Sequence, residues 1–387
     1  MSVTPERLAR LIAGLDPEGS GDISESITDA VRAVPRHLFI PDLGLVVEEE
    51  GAPYLIDRDL DPATWWDTVY SPSIIVTQLD DGATRLDALH GDSTSSASAP
   101  STVADLLNHL APEPGHRVLE IGTGTGYTAA LLSHLVGDRG EVTSIEVDPA
   151  VAEQAGKNLA AAGCTPTLLV GDGARGAPDG APYDRVHVTC GVRDVPYPWV
   201  QQCRPGGVIV LPWHPGYGTS HALRLVVQED GTAAGTIEGF AGYMMMRSQR
   251  PIPCQSPPPG KERRHYRTAL DPRALDQLGA GADLAIGTLT GLRSHSVEGH
   301  DEDSAYVRVF VADPDDPSSW AVATWRPESA DHRVQQVGDR PVWDEVLQAY
   351  AQWVRWGEPH WRRFGVTVTP EGQRVWLDTP DQVLGST

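Results

Sequence analysis

The sequence predicts an α/β protein: a Rossmann-like, doubly wound parallel sheet followed by an α+β C-terminal domain. Three observations carry this. Strand and helix patterns alternate from Arg117 to Pro212, and a glycine-rich turn joins the first strand of that series to its first helix. A proline-rich break at 251–260 then separates the series from a stretch of different pattern. A chain of 387 residues has room for both parts, read as domains 1–250 and 261–387 with 251–260 as linker.

The stretch Val118-Leu119-Glu120-Ile121-Gly122-Thr123-Gly124-Thr125-Gly126-Tyr127 organises the rest. Arg117–Ile121 reads as a short buried strand, and Tyr127–Val136 as a helix with apolar residues at helical spacing. Glycines let the backbone approach a ligand closely, and the helix N-terminus favours polar or anionic groups. By itself Gly-x-Gly-x-Gly marks no more than a tight turn. A dinucleotide fingerprint would read Gly-x-Gly-x-x-Gly, and this turn lacks that spacing. The acidic Glu120 within the strand, and Glu146 at the end of the next strand, fit S-adenosylmethionine better. In that reading Gly122, Thr123, Gly124, Thr125, Gly126 and Tyr127 form the cradle, and Glu146 with Val147 receives the ribose hydroxyls. Gly171, Asp172 and Gly173 border the adenine.

Upstream, residues 3–33 carry a helical pattern, and Val34–Pro41 is a compact apolar segment fenced by prolines. Residues 42–92 read as polar and irregular, with one apolar island at Tyr70–Gln78 that is an edge strand or part of a lid over the cofactor. Ser93–Pro100 is small and polar, a flexible loop running into a helix over Ser101–Leu110. After the glycine-rich unit come a strand at Val142–Glu146, a helix at Pro149–Ala162, and strands at Pro166–Val170, Tyr183–Thr189 and Ile209–Pro212. The loop from Cys190 to Pro196 lies at the carboxyl end of the fourth strand, where such sheets bind ligands. Leu223–Gln228 and Gly235–Phe240 finish the domain as antiparallel strands. In the C-terminal part, Ala282–Leu289, Ala305–Val311 and Trp320–Trp325 read as strands, and Val342–Trp356 as an amphipathic helix whose aromatic side faces a core. Phe364–Thr369 and Arg374–Leu377 form a hairpin.

Composition excludes several classes. A formal charge of −23 argues against nucleic acid and against anionic membrane surfaces, because both need clustered Lys and Arg. No apolar run reaches the roughly 18 residues of a membrane span. The N-terminus lacks a signal-peptide pattern. Cys164, Cys190, Cys203 and Cys254 show no metal-ligand spacing, so no metal site is expected, and buried thiols in a reducing cytoplasm are. The oligomeric state is left open, with a monomer expected.

Taken in order, Val34–Pro41, Ser98-Ala99-Pro100, the glycine-rich stretch, Gly171-Asp172-Gly173, Ala181-Pro182-Tyr183-Asp184 and Pro205-Gly206-Gly207 resemble protein-L-isoaspartate O-methyltransferase. The resemblance covers roughly residues 28–247. It implies an S-adenosylmethionine-dependent carboxyl methyltransferase core, with S-adenosylhomocysteine as product. Ser98 matches the serine of the family's Ile-Ser-Gln-Pro motif at the substrate carboxylate, and is the implied catalytic residue. Its neighbours Ser96, Ala97, Ala99 and Pro100 line the same site, together with Thr189, Cys190, Gly191, Val192 and Arg193 of the loop after the fourth strand. That loop departs from the family's small residues by introducing charge at Arg193-Asp194.

The chain also continues for about 140 residues past the core, where repair enzymes of the family are expected to end. This extension and the Tyr70–Gln78 island resemble an actinobacterial branch associated with ribosomally synthesised, modified peptides. Trp343–Val346 and Phe364–Gln373 strengthen that likeness. The implied substrate is then an aspartate side chain in a lanthipeptide, lasso-peptide or graspetide precursor, with the methyl ester closing to an aspartimide. The alternative is repair of isoaspartyl residues in damaged proteins. Either way the accepting carboxylate is already ionised near pH 7, so no general base is required. The chain's thirteen histidines are accordingly expected at the surface or in packing roles.

Overall fold

The computed structural model describes residues 3–16, 23–47, 51–252, 263–276, 279–301, 304–327 and 329–386. Most of the expected linker 251–260, and Cys254 within it, lie outside the described residues.

The chain divides into two compact units. The first takes the described residues up to Cys190, with Pro196–Pro212 and Arg224–Ala233. The second takes Gly191–Val195, Trp213–Leu223 and everything from Ala234 onward. The division therefore does not fall cleanly at the proline-rich break. Burial is the reason: Tyr217 is 2% exposed, in a core shared with Leu275, Ile286, Leu292 and Trp343. A large aromatic contributes too much buried apolar surface for the segment that carries it, between the strands Cys203–Trp213 and His221–Val227, to belong elsewhere.

The first unit opens with α1 (Pro5–Ala13), which Thr4 caps by accepting the Arg7 N–H at 3.3 Å, and α2 (Glu25–Ala33). Residues 42–92 are less irregular than their composition suggests. They contain β1 (Leu43–Val47), β2 (Tyr54–Asp57), α3 (Pro62–Val69) and β3 (Ile74–Leu79). With β4 (Ser93–Ala97), these strands make a four-stranded sheet in the order β2-β1-β3-β4. Two expectations change here. β3 is interior to its sheet, not an edge, and the serine-rich stretch is a strand. Its register Ile75↔Ala97 and Val76↔Ser96, and the Thr77–Ser95 hydroxyl bond at 3.1 Å, come from a neighbour distant in sequence. Serine has low intrinsic strand preference, so only that pairing reveals it.

Next come α4 (Pro100–Leu110), β5 (Arg117–Ile121), α5 (Tyr127–Val136), β6 (Glu141–Glu146) and α6 (Pro149–Ala161). β7 (Thr167–Val170), β8 (Tyr183–Val188), α7 (Tyr197–Gln201) and β9 (Cys203–Trp213) complete the series. The five strands run parallel in the order β9-β8-β5-β6-β7. The order reverses at β5, which puts a crevice at its carboxyl end. Val118, Leu119, Ile121, Val186, Val188, Ile209 and Val210 are all within 1% of complete burial and form the core beneath it.

The chain then passes through β10 (His221–Val227) and β11 (Ala233–Phe240). The second unit continues with β12 (Arg264–Thr268), α8 (Arg273–Asp276), α9 (Ala280–Thr290), β13 (Arg293–His300), β14 (Ala305–Ala312), β15 (Trp320–Trp325) and β16 (His332–Val337). The five strands from β12 to β16 form an antiparallel sheet ordered β12-β16-β15-β14-β13. α10 (Val342–Arg355) buries Val342, Trp343, Val346 and Ala349, so its aromatic side is core, as read from the sequence. β17 (Phe364–Thr369) and β18 (Gly372–Leu377) form the expected hairpin, with β19 (Val383–Ser386) beside β18. The segment Ala282–Leu289 is helix α9 and not a strand. It is buried on every side, and a short run that is apolar all round carries no period to separate helix from strand.

Candidate cofactor and substrate site

The glycine-rich turn runs Gly122, Gly124 and Gly126 through φ of +95°, +53° and +88°. At Gly122 the requirement is steric as well, since a Cβ would stand 2.5 Å from Thr189 Oγ1. Thr189 in turn donates to the Gly122 and Ile121 carbonyls, which ties the end of β8 to the turn. The Gly126 N–H bonds the Thr123 carbonyl at 2.9 Å, and Asn158 of α6 holds the Thr125 carbonyl at 2.9 Å. Asn158 was not singled out in the sequence, because a polar residue on a solvated helix carries no signal.

Glu146 closes β6 with its carboxylate turned back to the turn. One oxygen accepts the Gly124 N–H at 2.9 Å, the other the Asp148 N–H at 3.0 Å. Beside it Val147 and Val170 are 43% and 59% exposed, an apolar surface at the carboxyl ends of β6 and β7. Gly171 is fixed by its N–H to the Glu146 carbonyl at 2.9 Å, and nothing stands within contact of its Cβ position. Asp172 is exposed and turns through the Ala174 N–H at 3.0 Å, with Gly173 following. A flat aromatic ring over Val147, Val170 and Gly171, and hydroxyls toward Glu146, are what these residues suit.

Two predicted cofactor residues are placed otherwise. Glu120 is completely buried and accepts from Ser144 Oγ at 2.5 Å. Thr123 Oγ1 lies 2.6 Å from the same Ser144 hydroxyl, so the three groups brace the turn from below. Burial pushes the Glu120 carboxyl up to about 8. Tyr127 is 5% exposed, packed 5.4 Å from Phe39, and its hydroxyl points into the core. An aromatic at the start of a helix buries its ring whenever a hydrophobic neighbour is available. His187, in register with Glu120 on β8, is fully buried; burial lowers it to about 4 and keeps it neutral.

The serine motif follows β4 directly. Ser96 pairs with Val76, its carbonyl 3.7 Å from the Gly124 Cβ position, while Ala97 is buried and Ala99 precedes the Pro100 that starts α4. Ser98 is half-buried; its carbonyl accepts from Arg36, and its hydroxyl has no partner among the described residues. Arg36 is a residue that the sequence reading passed over inside Val34–Pro41. A cleft of about 540 Å³ opens beside the turn, its walls including His37, Gln78, Ser95, Gly124, Thr125 and Asn158.

After Thr189, Cys190 is held protonated by burial and by the Glu146 charge, which push its thiol up to about 12. Gly191 and Val192 belong to the second unit, bridged to Met245 and Trp213. Arg193 and Asp194 share the Gln249 side-chain carbonyl through their N–H groups at 2.8 and 2.9 Å. Gln373 bonds the Arg193 carbonyl and the Val195 N–H, while the Arg193 guanidinium reaches Asp194 and Asp315. The loop is therefore a clamped structure within the second unit. Among the described residues no three His, Cys, Asp or Glu side chains converge to hold a metal.

Comparison with known proteins decides the family. The family model described as protein-L-isoaspartate(D-aspartate) O-methyltransferase matches residues 72–248. Protein-L-isoaspartate O-methyltransferase 1 of Archaeoglobus fulgidus is 35% identical over 210 residues, which is 54% of this chain and 79% of the relative. The chain belongs to the protein-L-isoaspartate O-methyltransferase family. The family member of Aeropyrum pernix is 35% identical over 211 residues, 54% of this chain and 68% of its own. A solved structure titled protein-L-isoaspartate O-methyltransferase aligns with a TM-score of 0.54 at 21% identity, over 96% of this chain and all of that one. That likeness shows fold alone, yet it corrects one expectation: a length beyond the core is not foreign to structures of this name. As a family member the chain is an S-adenosylmethionine-dependent carboxyl O-methyltransferase, and the turn, Glu146 and the Val147–Gly171 surface fit that cofactor. No helix among the described residues is long and apolar enough to cross a membrane.

Proposed function

We propose that the chain methylates the side-chain carboxylate of isoaspartyl residues in proteins or peptides, with Ser98 donating the hydrogen bond that orients the carboxylate. The observation carrying this is the Ser98 hydroxyl, unpartnered among the described residues, just after the strand whose Ser96 carbonyl abuts the glycine-rich turn. When bound, S-adenosylmethionine supplies a methyl group activated as a sulfonium. The protein's own part is positioning and exclusion of water. Its nearby titratable groups match that restraint: Cys190 stays a thiol and His187 stays buried and neutral, so neither takes a proton from the substrate.

A second reading is the aspartate side chain of a modified precursor peptide, favoured by the charged Arg193-Asp194 in the loop after β8. There the methyl ester, a better leaving group than the acid, is attacked by the following backbone amide nitrogen. The five-membered aspartimide closes and methanol leaves.

Both readings are tested by incubating the protein with S-adenosylmethionine and either a short isoaspartyl peptide or the modified peptide encoded beside it, and following mass. Methylation of the short peptide supports the first. Methylation of the precursor alone, followed by net loss of one water, overturns it in favour of the second.

A further inference from the structure

Arg36 is fully buried, and its guanidinium meets four backbone carbonyls, three from the stretch Val69–Ser73 and one from Ser98. Nη1 donates to Val69 O at 2.7 Å and Ser71 O at 3.2 Å. Nη2 donates to Ser73 O and Ser98 O, both at 3.1 Å. Burial lowers Arg36 to about 10, which leaves it a cation at neutral pH. Such a group is costly to bury, and here carbonyl dipoles carry the compensation.

The placement of Nη2 is specific. Ser73 precedes β3 and Ser98 follows β4, and Ile75↔Ala97 is the last register pair between those strands. Nη2 therefore bridges the two segments where the ladder between β3 and β4 stops. Beyond that point the backbone runs through Ala99 into Pro100, which has no N–H to offer. Ser98 thus sits between the end of a strand and the start of a helix, with its carbonyl held by one guanidinium nitrogen.

We propose that Arg36 is the positioning residue for Ser98: by fixing the Ser98 carbonyl it fixes that residue's backbone and the direction in which its hydroxyl meets the substrate carboxylate. This rests on the proposed role of Ser98. The planar fork is essential to the arrangement, because two nitrogens each span a pair of carbonyls. A lysine brings three donors on one atom and cannot reach both pairs. The resulting displacement of Ser98 would be felt in transfer to the carboxylate and not in the cofactor cradle, since no residue of the glycine-rich turn is bonded to Arg36.

The test uses the full chain as wild type, Arg36→Lys, Ser98→Ala and the double variant. S-adenosylhomocysteine affinity is measured by calorimetry, and kcat and KM on a short isoaspartyl peptide separately. The expected result is unchanged cofactor affinity in Arg36→Lys with kcat/KM reduced about tenfold or more. The double variant should be no worse than Ser98→Ala alone, because residues acting through one another are not additive. Single-variant losses that simply multiply overturn the inference while leaving the Ser98 reading intact. An active, unimpaired Ser98→Ala overturns that reading and the inference with it. If Arg36→Lys fails to bind S-adenosylhomocysteine, the wild type decides. Its exchange-protected guanidinium resonances should shift when peptide is added to the S-adenosylhomocysteine complex, and resonances that do not move overturn the proposal.

Discussion

The Gly124 N–H donates to the Glu146 carboxylate at 2.9 Å, so the glycine-rich turn and the acidic end of β6 form one braced element. Each oxygen of Glu146 accepts one backbone N–H, from Gly124 and from Asp148, and each keeps a lone pair for a ligand hydroxyl. Glu146→Gln removes the charge and one acceptor. We expect S-adenosylhomocysteine affinity to fall about tenfold or more, since a hydrogen bond to a charged group contributes about 1.5–3 kcal/mol. Calorimetry giving wild-type affinity would remove Glu146 from the cofactor site.

Gly122 has no room for a methyl group. Its φ is +95°, and a Cβ would stand 2.5 Å from Thr189 Oγ1. Gly122→Ala is expected to lose about 1–3 kcal/mol of stability and to weaken cofactor binding, because the strain and the clash fall on the same turn. A denaturant midpoint equal to wild type would contradict this.

Glu120 makes stability depend on pH in an unusual direction. Its folded carboxyl is pushed up to about 8 by burial, from an ordinary 4.5. Between those values the folded chain keeps a proton that the unfolded chain has released, so stability contributed by this group falls as pH rises through 4.5 to 8. Glu120→Gln cannot ionise. Its stability relative to wild type should therefore climb across that window, by at most about 1.4 kcal/mol per pH unit. Parallel pH profiles for the two proteins in urea unfolding would show that Glu120 is ionised in the fold.

A chain ended at residue 257 should not leave a folded methyltransferase core. Tyr217, between β9 and β10, packs with Leu275, Ile286 and Trp343, so truncation strips this segment of its partners. We expect insoluble protein, or one without cooperative melting, as losing a large aromatic's packing costs about 3–5 kcal/mol. Soluble protein that melts cooperatively and binds S-adenosylhomocysteine would show the core to be independent.

The loop after β8 gives a gentler probe of the second unit. Gln373 bonds both the Arg193 carbonyl and the Val195 N–H. Gln373→Ala frees them, and should lower the stability of the second unit by about 1–3 kcal/mol, since it leaves a half-buried carbonyl and N–H without their partner. A denaturant midpoint equal to wild type would show that the clamp contributes nothing.

What was legible in the sequence is what depends on near neighbours. The turn at Gly122–Gly126, the parallel series from Arg117 to Val210 and the amphipathic α10 all follow from spacing within one or two elements. The family motifs, Ser98 and Glu146 included, belong to the same local grammar. Tertiary structure alone decided the rest. It paired Ser93–Ala97 with β3 and made Ala282–Leu289 a helix. It turned Glu120 and Tyr127 into the core, and drew Trp213–Leu223 into the second unit. It also brought Arg36 to Ser98, 62 residues further along the chain. In each case the deciding energy is a burial, a strand pairing or a hydrogen bond with a partner distant in sequence. Such a term has no imprint on the spacing of residues along the chain.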